Sequence, residues 1–475
     1  MVFGFNPSYA AVFPSYYADA FIAILGIIVF ANLALFLAKK PKVQLAANSF
    51  MFLVLAAACF ALSKYGSAIG LIMPSGGTLI SFSSFSLFFG MLFGIGMFLI
   101  NVLAFSKTEA YQRFSLFSSL VFTGLYLVSF AGSFISIIIG MEIITLPTVL
   151  ILLSGGYKTI EAAVKLFIMS AIAASSLAFG IVFYYGAANT VLFTQASEGV
   201  FLAGAAILAI AALGFESSIF PFNLWVPDVY EGARADATAL LGSINKKAGF
   251  VALILVLFAA FGAQEAQMTP ILYIISILTM FYGNILALSQ KNVKRMLAYS
   301  SISQAGYILI GIVTATGYGI AASIFQIAAH MFMFMGAMAI VYFMEKNNNE
   351  EVDNYVGLYH SNKFAAIVLT IMMLGFIGTP LTAGFIGKFL IFSSAVYNNM
   401  VLLAVIAIIN TIISVYYYLK IMLAMFASKE TKRKYKMDLN ITAVAAACLI
   451  IVVILGVYPG PVISMASAAA ASLHI

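Results

Sequence analysis

Five residues that can hold or pass a proton stand at intervals along otherwise apolar stretches: Glu142, Glu216, Lys246, His330 and Lys388. A carboxylate or an ammonium at the centre of a membrane-spanning helix costs roughly 2.5–3.5 kcal/mol on insertion scales. Chains keep such groups where they face one another or line a water-filled path, so the chemistry suggested is stepwise movement of protons or ions. An amine held away from water becomes a reversible proton carrier. An imidazole, with an unperturbed pKa of about 6.5, suits a relay. The plainer alternative is that the carboxylates and lysines form buried ion pairs that only hold helices together, and that His330 is packed and hydrogen-bonded. Lys247 adjoins Lys246 but points about 100° away around a helix, towards protein or headgroups. Ser301 and Gln304, with Ser300 and Ser303 in RMLAYSSISQAGY, supply polar groups fit for a water chain or for interhelical hydrogen bonds. Lys165 and Lys420 lie near the ends of their apolar runs, where a lysine snorkels to the interface.

These residues need long apolar elements to position them, and the composition supplies little else. Of 475 residues, 64% are hydrophobic and 8% charged, against about 25% charged in soluble domains. The fold class is an all-α polytopic membrane protein. A crossing takes about 20 apolar residues, which leaves room for roughly fourteen helices and no soluble domain. A free-standing enzyme with a soluble catalytic site is excluded. The net charge of +7 fits loop lysines that set topology, not a nucleic-acid partner. Cys59 and Cys448 are isolated in apolar runs, so neither a disulfide framework nor a metal or iron–sulfur motif is present.

The expected spans are 20–38, 44–63, 85–105, 114–130, 133–153, 162–185, 200–222, 236–260, 271–289, 299–315, 319–344, 364–392, 400–426 and 440–458. Residues 1–18 carry no Lys or Arg, a poor start for a cleaved signal, so the first span is expected to be retained. The basic residues between spans test the count. Lys39, Lys40, Lys42, Lys107, Arg113, Lys158, Arg234, Lys291, Lys294, Arg295, Lys346, Lys363 and the cluster Lys429 to Lys436 fall on one side, and only Lys64 on the other. That side is cytoplasmic, which puts both termini outside a prokaryotic plasma membrane. The connectors 66–84 and 345–363 read as solvated loops, although the polar second one also suits a docking site. The basic loop 428–436 is an orientation signal that can also touch anionic lipid.

Two spans carry interruptions. Pro221 and Pro227 break the seventh, and Pro380, in GFIGTPLTAGFIGK, breaks the twelfth. Broken helices five spans apart are what two inverted five-helix repeats give, spans 4–8 and 9–13, and such breaks mark ion sites near the midplane. The resulting division is 1–106 for the first three spans, 107–262 and 263–428 for the two half-channels, and 429–475 for the last span and tail.

MEIITLP, GFESSIFPFNLWVPDVYEGA, KRMLAYSSISQAGY and GTPLTAGFIGKF, in this order over residues 107–392, resemble the proton-translocating antiporter-like subunits of respiratory complex I and the related Mrp-type cation/proton antiporters. Length and PFNLWVPDVYEGA are most similar to the subunit N type, while Gln304 and His330 are features of the M and Mrp types. The resemblance implies that Glu142 is the fifth-span glutamate, Lys246 the central lysine and Lys388 the exit lysine. It also implies partner subunits, membrane and peripheral, that carry the quinone site and iron–sulfur clusters, with no cofactor in this chain. The departure is Glu216, which stands where the family has a lysine. A Glu–Lys pair cannot form there, and two neighbouring carboxylates would share a proton instead.

The function implied is proton translocation driven by quinone reduction in partner subunits. Protons would enter through the first half, load Lys246, pass by way of His330 to Lys388, and leave outside. A subunit of an Mrp-type Na⁺/H⁺ antiporter and a structural subunit with a decayed channel, for which Glu216 speaks, are the alternatives.

Overall fold

A computed structural model describes residues 13–65, 79–106, 108–153, 157–194, 199–262, 265–427 and 436–473. The N-terminal segment, most of the 66–84 loop, Lys107 and the basic loop with Lys429, Lys432, Arg433 and Lys434 lie outside the described residues, as does the side chain of Lys158.

The described chain is built of helices: α1 Phe13–Leu37, α2 Pro41–Tyr65, α3 Ser84–Leu103, α4 Glu109–Ser129, α5 Phe134–Leu152, α6 Tyr157–Ala188 and α7 Val200–Ser217. A short α8 (Trp225–Gly232) then leads into α9 (Ala235–Ala260), α10 (Glu265–Leu288), α11 (Val293–Val313) and α12 (Gly317–Glu345). The chain ends with α13 Lys363–Ile377, α14 Ala383–Tyr397, α15 Val401–Phe426, α16 Leu439–Val457 and α17 Gly460–Ala471. Among the described residues, 11 helices are long and apolar enough to cross a membrane. The serines, Gln112 and Arg113 of α4 dilute its apolar run, and α13 and α14 are each short because the chain breaks between them.

Burial sorts the helices. The spanning windows of α9, α11 and α12 are wholly enclosed, whereas those of α2 and α6 bury 22% and 28% of their residues. Phe50, Ile172, Phe179 and Val182 accordingly turn large apolar side chains outward, as a lipid-facing surface requires. Three of the expected proton-carrying residues, Lys246, His330 and Lys388, lie on or against that enclosed centre. Cys59 and Cys448 are buried and unbonded to each other, as free thiols.

The two ends of the bundle differ in charge. At one end Lys165, Asp228, Arg295 and Glu231 bond together, Lys294 meets Glu345, and Lys346 meets Asp438. At the other end the connectors meet through uncharged backbone, with Ile80 bridging Ala131 and Ser133 bridging Leu192.

Both expected interruptions occur. α7 stops at Ser217 with left-handed Ser218 as its cap, and the chain turns through Pro221 before α8. α13 stops at Ile377 with Gly378 at φ +91°, and Pro380 precedes α14. Pro227 does not break a helix. It sits in the first turn of α8, where a missing N–H costs nothing because first-turn donors have no intrahelical acceptor.

Candidate proton-relay site

The centre of the site is α9, which is not a uniform α-helix. Wider π-helical turns at Leu241–Asn245 and Val256–Ala260 flank the stretch that begins with Lys246. Such turns shift side-chain register and are frequent at functional sites. Lys246 Nζ donates to Ser301 O at 2.6 Å and lies 3.0 Å from Ser301 Oγ on α11. Lys247 turns the other way, and its Nζ is 2.7 Å from His330 Nδ1 on α12. All three basic side chains are buried. Gly249, one turn on, lets α9 press against α7. A Cβ there would come within 2.6 Å of the Glu216 backbone carbon.

From Ser301 the polar run continues along α11. Gln304, on the next turn, donates to Phe376 O at 3.2 Å and accepts from Gln326 Nε2 at 3.1 Å. Phe376 and Ile377 end α13, so their carbonyls lack helical partners. Lys388 supplies them, with Nζ at 2.9 Å from Phe376 O and 3.1 Å from Ile377 O. The same ammonium lies 4.5 Å over the Tyr307 ring, a favourable cation–π distance. The helix break thus creates the acceptors that hold the buried lysine. Phe376 O serves both Gln304 and Lys388, joining the run to its far end.

The carboxylates are arranged differently. Glu216 is in the last turn of α7, half-buried, and Glu142 is close enough for the two to interact electrostatically. Among the described residues neither makes a hydrogen bond or an ion pair. Nearby, both side-chain atoms of Asn223 and the Ser218 hydroxyl are buried without partners. Glu142 belongs to the outward stripe of α5, between Ile139 and Leu146, which are 48% and 45% exposed. It lines an open groove with Leu120, Ile138 and Pro147.

At the charged end, Asp228 of α8 accepts from Lys165 and Arg295, each at 2.9 Å. Burial would push this carboxyl up, but the two cations bonded to it hold it below the usual carboxylate range. Arg234, pulled up by the Asp236 carboxylate 2.5 Å away, precedes α9. Glu345 bonds both Lys294 and the Ala235 N–H at the start of α9.

The model of the NADH:quinone oxidoreductase/Mrp antiporter transmembrane family matches residues 131–414, which hold every buried charge described above. The chain belongs to this family. NADH-quinone oxidoreductase subunit N of Desulforamulus reducens is 33% identical over 435 residues, covering 85% of this chain and 90% of the relative. That of Trichlorobacter lovleyi is 34% identical over 426 residues, covering 84% and 86%. Among solved structures, a chain of respiratory complex I from Thermus thermophilus superposes with a TM-score of 0.82 at 26% identity, over 94% of this chain and 98% of that one. A chain of the Mrp complex from a Dietzia species reaches 0.87 at 18% identity, over 96% and 97%, and shares the fold.

For this family member, the expected residues fall into four groups. Lys246, Ser301, Gln304 and Lys388 form one run. Glu142 and Glu216 adjoin each other outside it. Lys165 belongs with neither, since its ammonium, 40% exposed, bonds Glu161 and Asp228 at the charged end. His330 was expected between Lys246 and Lys388, but its bonded neighbour is Lys247. Gln326 was missed. Its signal was available, because it precedes His330 by four residues and so shares its helix face.

Proposed function

We propose that this chain is the proton-translocating membrane subunit of a complex I-like quinone oxidoreductase. Protons move along its intramembrane Glu and Lys residues, driven by quinone reduction in partner subunits. One observation carries the reading: in a member of this family, the polar contacts Lys246–Ser301 and Gln304–Phe376 O–Lys388 lie in series along the enclosed centre. Lys246 is the central carrier, Lys388 the exit carrier, and Glu142 with Glu216 the loading side, where the two carboxyls hold one proton between them.

The organisation that goes with this function is about fourteen crossings, in two inverted repeats over residues 107–262 and 263–428. The helix breaks near Pro221 and Pro380 occupy equivalent places in the two repeats. The charged end of the bundle faces the cytoplasm of a prokaryote, and both termini face outward. The subunit acts within an assembly of membrane and peripheral subunits, and the quinone and iron–sulfur clusters belong to those partners. Redox energy enters there, and this chain contributes the proton path.

The test is Lys246→Ala in the assembled complex. Quinone-driven proton uptake should fall on the order of 10²-fold, the scale of a lost general acid–base group, with assembly intact. Undiminished uptake sinks the proposal. Transport that follows Na⁺ instead of quinone would move the chain to the Mrp antiporters.

A further inference from the structure

The proposed path runs through Lys246, yet a second basic pair beside it has no part in that path. Lys247 Nζ and His330 Nδ1 are 2.7 Å apart, both side chains are buried, and the imidazole lies between the rings of Phe334 and Phe376 at 5.7 and 5.6 Å. At that distance one nitrogen donates and the other accepts. An ammonium facing an imidazolium would be two donors and no acceptor, so the pair carries at most one excess proton. Either the Lys247 ammonium donates to a neutral imidazole, or an imidazolium donates to the Lys247 amine. Exchange between these forms breaks one N–H bond, makes another, and leaves the net charge unchanged.

The surroundings do not neutralise that charge. Glu216 on α7 and Glu142 on α5 are the carboxylates at membrane depth, and neither bonds to the pair. Asp228 and Glu231 are taken by Arg295, Asp236 by Arg234, and Glu345 by Lys294. The other titratable groups that packed helices bring to membrane depth are Lys388 on α14, held at Phe376 O, the phenols of Tyr126, Tyr230 and Tyr307, and the Cys448 thiol. Helices α3 and α17 bring none. Lys246 interacts electrostatically with both Lys247 and His330.

We propose that Lys247 and His330 share a single proton and that its presence sets when Lys246 loads. A charged pair holds Lys246 empty, and an uncharged pair lets it fill. The two act as a positioning pair, and they do with two bases what an acid–base pair cannot do between Glu142 and Glu216. This rests on Lys246 being the central carrier, so Lys246→Ala is run alongside.

The experiment reads quinone-driven proton uptake against pH in vesicles holding the whole complex. Lys247→Met removes the charge beside Lys246 and should move the alkaline limb up by roughly one pH unit, the scale of one nearby charge. His330→Gln leaves the proton fixed on Lys247 and should move it down. The double variant should match Lys247→Met, because without the lysine there is nothing to share. A purely structural role would lower the amplitude without moving the limb in opposite directions. If Lys246→Ala abolishes uptake while Lys247→Met or His330→Gln superimposes on the parent, the sharing is wrong and the path stands. A double variant that shifts by the sum of the singles refutes the sharing in the same way. Uptake that survives Lys246→Ala overturns both. Should Lys247→Met fail to assemble, the direction of the His330→Gln shift decides alone.

Discussion

The two helix breaks invite comparison, because each frees backbone carbonyls at membrane depth and the chain uses them differently. At the second break, Lys388 reaches back to Phe376 O and Ile377 O, and the ammonium is held by the acceptors that the end of α13 exposes. At the first, it is the indole N–H of Trp225 that reaches back, to Phe215 O at 3.2 Å. The charged residue there is Glu216, in the last turn of α7, where the helix dipole favours cations. A carboxylate gains nothing from freed carbonyls, which are acceptors like itself. Around Lys388 the freed carbonyls and Gln304 are bonded, while beside Glu216 the Asn223 side chain and the Ser218 hydroxyl stand unpaired. A break prepares a site for a cation, and this chain has filled one such site with a lysine and the other with an acid.

Substitution should expose that difference most strongly at the charges themselves. Lys388→Met would strand the Ile377 carbonyl, leave Phe376 O to Gln304 alone and remove the proposed exit carrier, and proton uptake should drop on the order of 10²-fold. Glu216→Gln keeps the shape and, if Glu142 and Glu216 hold one proton between them, leaves Glu142 to carry it. Its effect should stay within roughly a factor of ten, well under one catalytic proton-transfer group. Measuring both in the same assembled complex sets the halves against each other. Equal losses would mean that the first half depends on its acid as fully as the second does on its lysine.

Much of this frame was legible beforehand because it follows from one-dimensional physics. Apolar length gave the helices, and α9, for example, runs over Ala235–Ala260 where 236–260 was expected. Gly378 and Pro380 together announced a break, since glycine readily takes the left-handed conformation that ends a helix and the residue before a proline is steered away from helical geometry. The partners of the buried charges were not legible. Nothing in LGSIN marks a π-helical turn, yet such a turn helps decide that Lys246 meets α11 and Lys247 meets α12. Glu142 could be counted as buried from hydropathy, but its place in an outward stripe depends on which face α5 turns to α4. Packing settles that, with Gly124 and Gly140 in close approach.

A gentler probe of the bonded half is Gly387→Ala. A methyl group there would overlap Gln326 Oε1, the amide that donates to Gln304. The polar run would be displaced without losing a charge. Overpacking of this kind costs about 1–3 kcal/mol, so the midpoint of thermal unfolding in detergent should fall. Proton uptake should fall several-fold, less than for Lys388→Met. If uptake held steady while stability fell, Gln326 would be a packing group and the run would need only Gln304.

The smallest effect belongs to the charged end, where Asp228 ties α8 to α6 and α11. Its carboxyl is held below the usual range by Lys165 and Arg295 despite partial burial, so the folded state binds its proton less readily than the unfolded chain does. Its stabilising contribution is therefore complete above the unfolded value, about pH 4, and is lost as pH falls through the lower folded value. The groups are partly exposed, at 37% for Asp228 and 30% for Arg295, which limits the contribution to about 1 kcal/mol. Asp228→Asn should lower the unfolding midpoint slightly at pH 7 and by progressively less as pH falls through the lowered folded value, with uptake near the parent value. A large loss of uptake at unchanged stability would instead make Asp228 part of proton entry, and the first half would then load through a bonded acid as well as through the unpaired ones.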